Sequence, residues 1–167
     1  MVKKLFIILS ILLVIGIPSS ILKISNKDYP KFIFINNSKD KDIIGSLVIN
    51  KIDLKENLYK PNSSKNNIEE HVTIINELDN TLILAAHSGT GPIAYFERLD
   101  ELEINDEIIL IYNNKKYKYE VKEIWEEKKN GYIHINKETK KQLVLTTCSP
   151  NKANYQLIVN CTEKESN

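Results

Sequence analysis

Short apolar stretches with alternating polar positions recur between residues 43 and 161, and they predict a chain built mainly from β-strands. The segments between them are rich in Asn, Ser, Lys and Pro, which is typical of turns and loops. The predicted strands cover residues 43–49, 51–54, 72–75, 81–86, 108–112, 117–125, 142–148 and 155–161. Many short strands with little helix predict a mainly β protein that forms a closed or nearly closed barrel.

Helical spacing is limited to short segments. Residues 92–102 predict one short amphipathic helix, because apolar residues recur there at every third position: Phe96, Leu99 and Leu102. A polar loop at residues 61–67 offers capping side chains for a second short helix through residues 69–71. One or two short helices are therefore expected beside the strands.

The N-terminus has a different pattern, with Lys3 and Lys4 before an apolar run at residues 5–17. With the tail at residues 18–22, this run is about as long as the roughly 17–25 residues that cross a bilayer. A cleaved signal peptide is the alternative, but no Ala-x-Ala-like cleavage pattern follows. The two lysines favour a cytoplasmic N-terminus and an extracytoplasmic domain. The expected organisation is a signal anchor or transmembrane helix at 1–24, a polar linker at 25–42, a domain at 43–162 and a polar tail at 163–167.

Length and charge narrow the range of functions. The chain has 167 residues, enough for one domain with a sizeable core. Its 23 basic and 22 acidic residues nearly cancel, so the charge gives no reason to expect nucleic acid as a partner. The cysteines and histidines lack metal-ligand spacing, and no glycine-rich phosphate loop is present. We therefore expect neither a metal nor a cofactor.

Two predicted strands end on residues with reactive side chains. The strand at 142–148 ends on Cys148 and is stopped by Pro150, and the strand at 81–86 is followed directly by His87. A cysteine at the end of a strand is better placed to act as a nucleophile than to fill the core. The two strand ends together suggest a Cys/His pair for nucleophilic catalysis.

The second cysteine, Cys161, raises the question of a disulfide, since exported proteins often oxidise their cysteines. If the last two strands form a hairpin, Cys148 lies opposite Tyr155 or Gln156. Cys161 is then several residues farther along at about 3.3 Å per residue, beyond the Cα separation of about 7 Å that a disulfide allows. A free Cys148 is the expectation.

Four segments in the same order resemble the sortases, membrane-anchored cysteine transpeptidases of Gram-positive bacteria. They are Ala-Ala-His-Ser-Gly-Thr at 85–90, Phe-x-x-Leu-x-x-Leu at 96–102, Asn-Asp-Glu-Ile at 105–108 and Leu-Thr-Thr-Cys at 145–148. The resemblance extends over about residues 43–159. It implies a closed, eight-stranded sortase-type β-barrel, preceded by the N-terminal transmembrane helix.

The resemblance also implies covalent chemistry. Cys148 would attack the Thr carbonyl of a sorting signal to form a thioacyl enzyme, and His87 would carry the protons. The neighbours of this pair are the expected substrate-binding residues: Ala86, Ser88, Thr146 and Thr147.

One catalytic position departs from the family pattern. Sortases place an arginine on the last strand just before a run like residues 157–159, where this chain has Gln156. The chain has a single arginine, Arg98, which lies in the segment at 92–102. A neutral amide donates a weaker hydrogen bond than a cation, so Gln156 is expected to take the catalytic position with reduced efficiency. Lys152 in the preceding loop is a possible substitute cation that lacks the arginine fork.

The expected function is cleavage of a C-terminal Leu-Pro-x-Thr-Gly-like signal on exported proteins and their transfer to an amine of the cell wall or a pilin. A housekeeping-like or class D-like member is expected, since the long N-terminal lid of pilin-assembling members is missing. Two alternatives remain open. One is an L,D-transpeptidase acting on peptidoglycan, although its Ser-x-Gly-Cys-Arg-like signature is absent, and the other is a catalytically weakened sortase-like binding domain.

Overall fold

The computed structural model describes residues 40–136 and 140–164. The predicted anchor, all but the last three residues of the predicted linker, and the end of the tail lie outside these residues. Within the described part of the chain, no helix combines the length and apolar character that a membrane crossing requires.

Eight strands form one continuous sheet, as the alternating pattern predicts. They are β1 (Ile43–Ile49), β2 (Leu54–Tyr59), β3 (Thr73–Leu78), β4 (Thr81–Ala85), β5 (Glu107–Tyr112), β6 (Lys115–Lys128), β7 (Gln142–Cys148) and β8 (Tyr155–Glu163). Their order in the sheet is β2-β1-β5-β6-β8-β7-β4-β3. Neighbours pair antiparallel, apart from the parallel pair of β4 and β7.

The barrel is nearly closed, as the strand pattern allows, whereas the family resemblance implied a closed one. β2 and β3 are the two edge strands of the sheet, and no ladder of hydrogen bonds joins them. The sheet is nevertheless curved around a single apolar core. Its fully buried side chains include Leu47, Leu58, Leu84, Leu110, Leu143 and Val159.

The predicted helices are wrong, because the described residues contain no α-helix. Residues 92–102 form turns that end in one turn of 3-10 helix at Leu99–Glu101. The backbone N–H of Phe96 donates to the carbonyl of His87 at 3.0 Å, so it is not available for an i to i−4 helical bond. The apolar positions are buried as expected: Phe96, Leu99 and Leu102. The loop before His71 forms only single turns, such as the bond from His71 N to Asn67 O.

Candidate active site

The parallel pairing of β4 and β7 brings the two predicted catalytic segments together. Ala85 lies opposite Thr146, and Ala86 N donates to Thr146 O at 3.4 Å just beyond the ladder. Continued by two residues, this register brings His87 level with Cys148. The predicted Cys/His pair therefore lies at adjacent ends of two neighbouring strands, although the two residues are 61 positions apart in the chain.

Two side-chain hydrogen bonds hold these strand ends to each other. The Thr147 hydroxyl donates to the carbonyl of Ala86 at 2.8 Å, and the Ser88 hydroxyl donates to the carbonyl of Cys148 at 3.0 Å. The first bond is buried and the second is exposed. Together they connect the residues on both sides of His87 to the end of β7.

The two cysteines are free and have opposite environments. Cys148 is exposed and lies opposite Gln156 on β8, which confirms the register expected of the hairpin. Cys161 is buried opposite Leu143, and burial raises the pKa of its thiol. Cys148 is therefore the accessible thiol, and Cys161 is an inert core residue.

His87 is half-buried, and its Nε2 lies 3.5 Å from Oε2 of Glu69, a mostly exposed carboxylate in the loop between β2 and β3. Its backbone carbonyl accepts the hydrogen bond from Phe96. The buried Phe96 ring thus anchors the loop that carries the imidazole. This packing role explains why the apolar segment at 92–102 follows the histidine so closely.

A lysine that the sequence did not single out lies next to Cys148. Lys129 Nζ is 2.8 Å from Cys148 Sγ. Lys129 directly follows β6, which extends to Lys128 instead of ending near residue 125 as predicted. Its backbone N–H donates to Asn154 O at 2.9 Å, which fixes it beside the β7–β8 turn.

Gln156 lies in one row with Cys148 and with Glu127 of β6, so the three side chains are on the same face of the sheet. Its Nε2 donates to Glu127 Oε1 at 3.1 Å and to the carbonyl of Tyr132 at 2.8 Å. Both neighbours accept only, so the amide nitrogen must face them. The two amide hydrogens of Gln156 are therefore engaged within the protein.

Glu127 connects this row to the segment between β6 and β7. Its Oε2 is 2.8 Å from His134 Nδ1, and its Oε1 accepts a hydrogen bond from His134 N. Burial acts to raise the pKa of Glu127, but hydrogen bonds from His134 and Gln156 outweigh it and lower that pKa. His134 is exposed, and residues 132–136 lie outside any regular element.

The remaining predicted substrate-binding residues differ in their surroundings. Ala86 and Thr147 are buried on the core side of the sheet, where they position the strand ends. Ser88 is half-buried next to Cys148. Thr146 lies on the opposite face of β7 from Thr147, and among the described residues its buried hydroxyl has no hydrogen-bond partner. Contact of these four with a substrate stays a prediction.

The family profile of the Sortase domain matches residues 47–164, most of the chain. The chain belongs to the sortase family. Members of this family are cysteine transpeptidases, and the match includes both Cys148 and His87. No protein with a curated function matches the chain significantly.

Solved sortase structures share this fold. Sortase C1 from Streptococcus agalactiae is 24% identical, with a TM-score of 0.63 over 76% of this chain and 70% of that one. A lid mutant of sortase A from Corynebacterium diphtheriae is 20% identical, with a TM-score of 0.65 over 79% and 75%. Sortase C from Streptococcus pneumoniae, described together with its pilin substrate specificity, is 20% identical, with a TM-score of 0.65 over 77% and 69%.

A groove of about 450 Å³ with a mixed polar and apolar lining lies on the outer face of this sortase domain. Its polar lining residues are Asn76, Asp79, Asn80, Thr81 and Gln142. Ile83 of β4 contributes to its floor, and Ile133 and Ile135 line it from the segment between β6 and β7. Leu78 of β3, which is 62% exposed, is another lining residue. The groove therefore lies beside the first residues of β4 and β7, whose opposite ends carry His87 and Cys148.

Proposed function

We propose that this chain is a sortase-type cysteine transpeptidase that cleaves a C-terminal Leu-Pro-x-Thr-Gly-like sorting signal and transfers the exported protein to an amine. The observation that carries this proposal is the register of the parallel pair β4–β7, which aligns His87 with an exposed, free Cys148. A nucleophile with an adjacent proton carrier is the arrangement that covalent acyl transfer requires.

The reaction follows from these two residues. Cys148 Sγ forms a bond to the Thr carbonyl carbon of the signal, and its thiol proton passes to His87. His87 then protonates the departing amide nitrogen as the C–N bond breaks, which leaves a thioester on Cys148. An acceptor amine attacks this thioester and gives a proton to His87, and the Cys148 sulfur leaves as the new amide forms.

The groove beside β4 supports a peptide substrate of this kind, because it offers both polar groups and apolar side chains. Its volume is within the roughly 300–1,000 Å³ of ligand sites. Its isoleucines suit the Leu-Pro portion of a sorting signal, which would lie along β4 and β7 with its threonine near Cys148.

Location and partners belong to the same proposal. The apolar run at 5–17 after Lys3 and Lys4 supports a single-pass anchor with the catalytic domain outside the membrane. The donors are then exported proteins with a C-terminal signal. The acceptor is an amine of a cell-wall precursor or of a pilin.

Formation of a thioacyl adduct tests this function. The purified full-length protein, kept in detergent, is incubated with a panel of Leu-Pro-x-Thr-Gly-like peptides, and intact-mass spectrometry measures the adduct. We expect an adduct on the wild-type protein that is absent from Cys148→Ala and strongly reduced in His87→Ala. Cys161→Ala is the matched control, because it also removes one thiol but keeps the accessible one.

Two results would contradict the proposal. One is the absence of any adduct with every peptide in a protein that is folded by circular dichroism, which would favour the binding-domain alternative. The other is an adduct that persists in Cys148→Ala.

A further inference from the structure

We propose that Lys129 is a catalytic residue whose ammonium group stabilises negative charge on the Cys148 sulfur and on the oxyanion formed during acylation. The inference rests on the proposed function, because the oxyanion arises only if Cys148 attacks a carbonyl. It assigns stabilisation of the oxyanion to Lys129 after β6, whereas the family resemblance implied that Gln156 on β8 takes the catalytic position.

The contact between the two side chains is direct and is held in place by the backbone. Lys129 Nζ is 2.8 Å from Cys148 Sγ. The β6–β8 ladder continues to Lys128, opposite Tyr155, and Lys129 N then donates to Asn154 O. The backbone of Lys129 is thus fixed next to the turn that follows Cys148, and its long side chain reaches across β8 to the sulfur.

Other candidate cations are engaged elsewhere. Lys152 Nζ lies 3.0 Å from Glu126 Oε2, and the Arg98 guanidinium forms two hydrogen bonds of 2.8 Å to Glu101. Among residues 40–136 and 140–164, no carboxylate lies within ion-pair distance of Lys129 Nζ. Its charge therefore remains available to the sulfur.

Gln156 is not free to take this role. Both hydrogens of its amide are donated, one to Glu127 Oε1 and one to Tyr132 O. Its remaining polar atom is a carbonyl oxygen, which accepts hydrogen bonds and cannot donate one to an oxyanion. In this arrangement Gln156 holds the segment after β6 in position, and Lys129 provides the donor.

The chemistry requires no additional reactant. As the Cys148 sulfur bonds to the carbonyl carbon, the electron pair of the C=O bond moves to oxygen, two bonds from the sulfur. Lys129 Nζ carries three N–H groups, so it can contact sulfur and oxyanion in turn without giving up a proton. The thiol proton passes through His87 to the departing nitrogen. A charge-assisted hydrogen bond of this kind corresponds to about ten- to a hundredfold in rate.

The test compares Lys129→Met, Lys129→Arg and the control Lys128→Met in the full-length protein. Lys128 is the adjacent exposed lysine, and its replacement changes net charge and length equally. Two rates are measured: acylation of Cys148 by a sorting-signal peptide, and alkylation of Cys148 by iodoacetamide. We expect Lys129→Met to slow both at least about tenfold. Lys129→Arg and Lys128→Met should stay within about threefold of the wild type, because both retain a cation at residue 129.

The outcomes separate the two proposals. If the wild type is acylated and Lys129→Met reacts at the same rate, the role of Lys129 is wrong and the transpeptidase function stands. Equal losses in Lys129→Met and Lys129→Arg would also overturn it, because the charge would then not be the cause. If no peptide acylates the wild type, the proposed function fails, and unchanged alkylation in Lys129→Met would reject the charge effect on sulfur as well.

Discussion

The Ser88 hydroxyl donates a hydrogen bond of 3.0 Å to the backbone carbonyl of Cys148. This bond joins the residue after His87 to the proposed nucleophile, across the end of a parallel strand pair. Parallel pairing alone aligns the two strands, but the ladder ends at Ala85 and Thr146. Beyond it, the relative position of imidazole and thiol depends on bonds such as this one.

Removal of this bond should therefore reduce acylation more than stability. We expect Ser88→Ala to lower the acylation rate by about three- to tenfold, which corresponds to a typical single hydrogen bond. The unfolding free energy should fall by less than about 1 kcal/mol, because the bond is exposed. Single-turnover acylation and urea unfolding measure the two effects. Ser64→Ala, at an exposed loop position, is the control, and an equal rate in both variants would contradict the prediction.

Replacement by valine should affect the unfolding free energy differently at two adjacent threonines of β7. Thr147 donates a buried hydrogen bond to Ala86 O, whereas the buried hydroxyl of Thr146 has no partner among the described residues. We expect Thr147→Val to lower the unfolding free energy by about 1–3 kcal/mol, since it leaves a buried carbonyl unpaired. Thr146→Val should cause no loss, because it replaces an unsatisfied hydroxyl by a methyl group. Urea unfolding of both variants is the measurement, and a larger loss in Thr146→Val would refute this account.

The strand that carries Cys148 could be predicted with both of its bounds. It begins at Gln142, directly before an apolar run, and stops at Cys148 before Pro150, so local sequence defines it. The strand before His87 could be predicted almost as well, since the predicted end at residue 86 is one residue beyond the end of β4. The side chains at the ends of these two strands carry the proposed chemistry. Because both strands are defined by local sequence, the Cys/His pair could be predicted from the sequence.

Features that depend on distant partners could not be predicted. The polar end of β6, residues 126–128, is a strand because it pairs with β8, and this pairing places Lys129 next to a cysteine nineteen residues away. The chain contains many lysines, and no local sequence feature distinguishes Lys129 from the others. The helix expected at 92–102 is absent for a similar reason, since Phe96 N bonds to His87 O.

Gly45 should be the least replaceable glycine of the barrel. A Cβ at this position would lie 2.1 Å from the carbonyl oxygen of Ile111 on β5, a backbone atom that cannot rotate away. We expect Gly45→Ala to lower the unfolding free energy by about 1–3 kcal/mol or more, because β1 and β5 must move apart. Thermal or urea unfolding measures the loss. The neighbouring Ser46→Ala is the control, and equal stability of the two variants would show that the strands accommodate the methyl group.

Glu127 should make stability depend on pH in the acid range. Hydrogen bonds from His134 and Gln156 overcome the effect of burial and hold the pKa of Glu127 below its ordinary 4.5. A lowered carboxyl pKa stabilises the fold fully above about pH 4.5, and this contribution is lost as the pH falls through the folded-state value. We therefore expect the urea midpoint of the wild type to fall between pH 5 and pH 3, and Glu127→Gln to fall less over the same interval. Glu97→Gln, at an exposed position, should keep the wild-type dependence. If Glu127→Gln shows the same slope as Glu97→Gln, the acid sensitivity arises from other carboxylates.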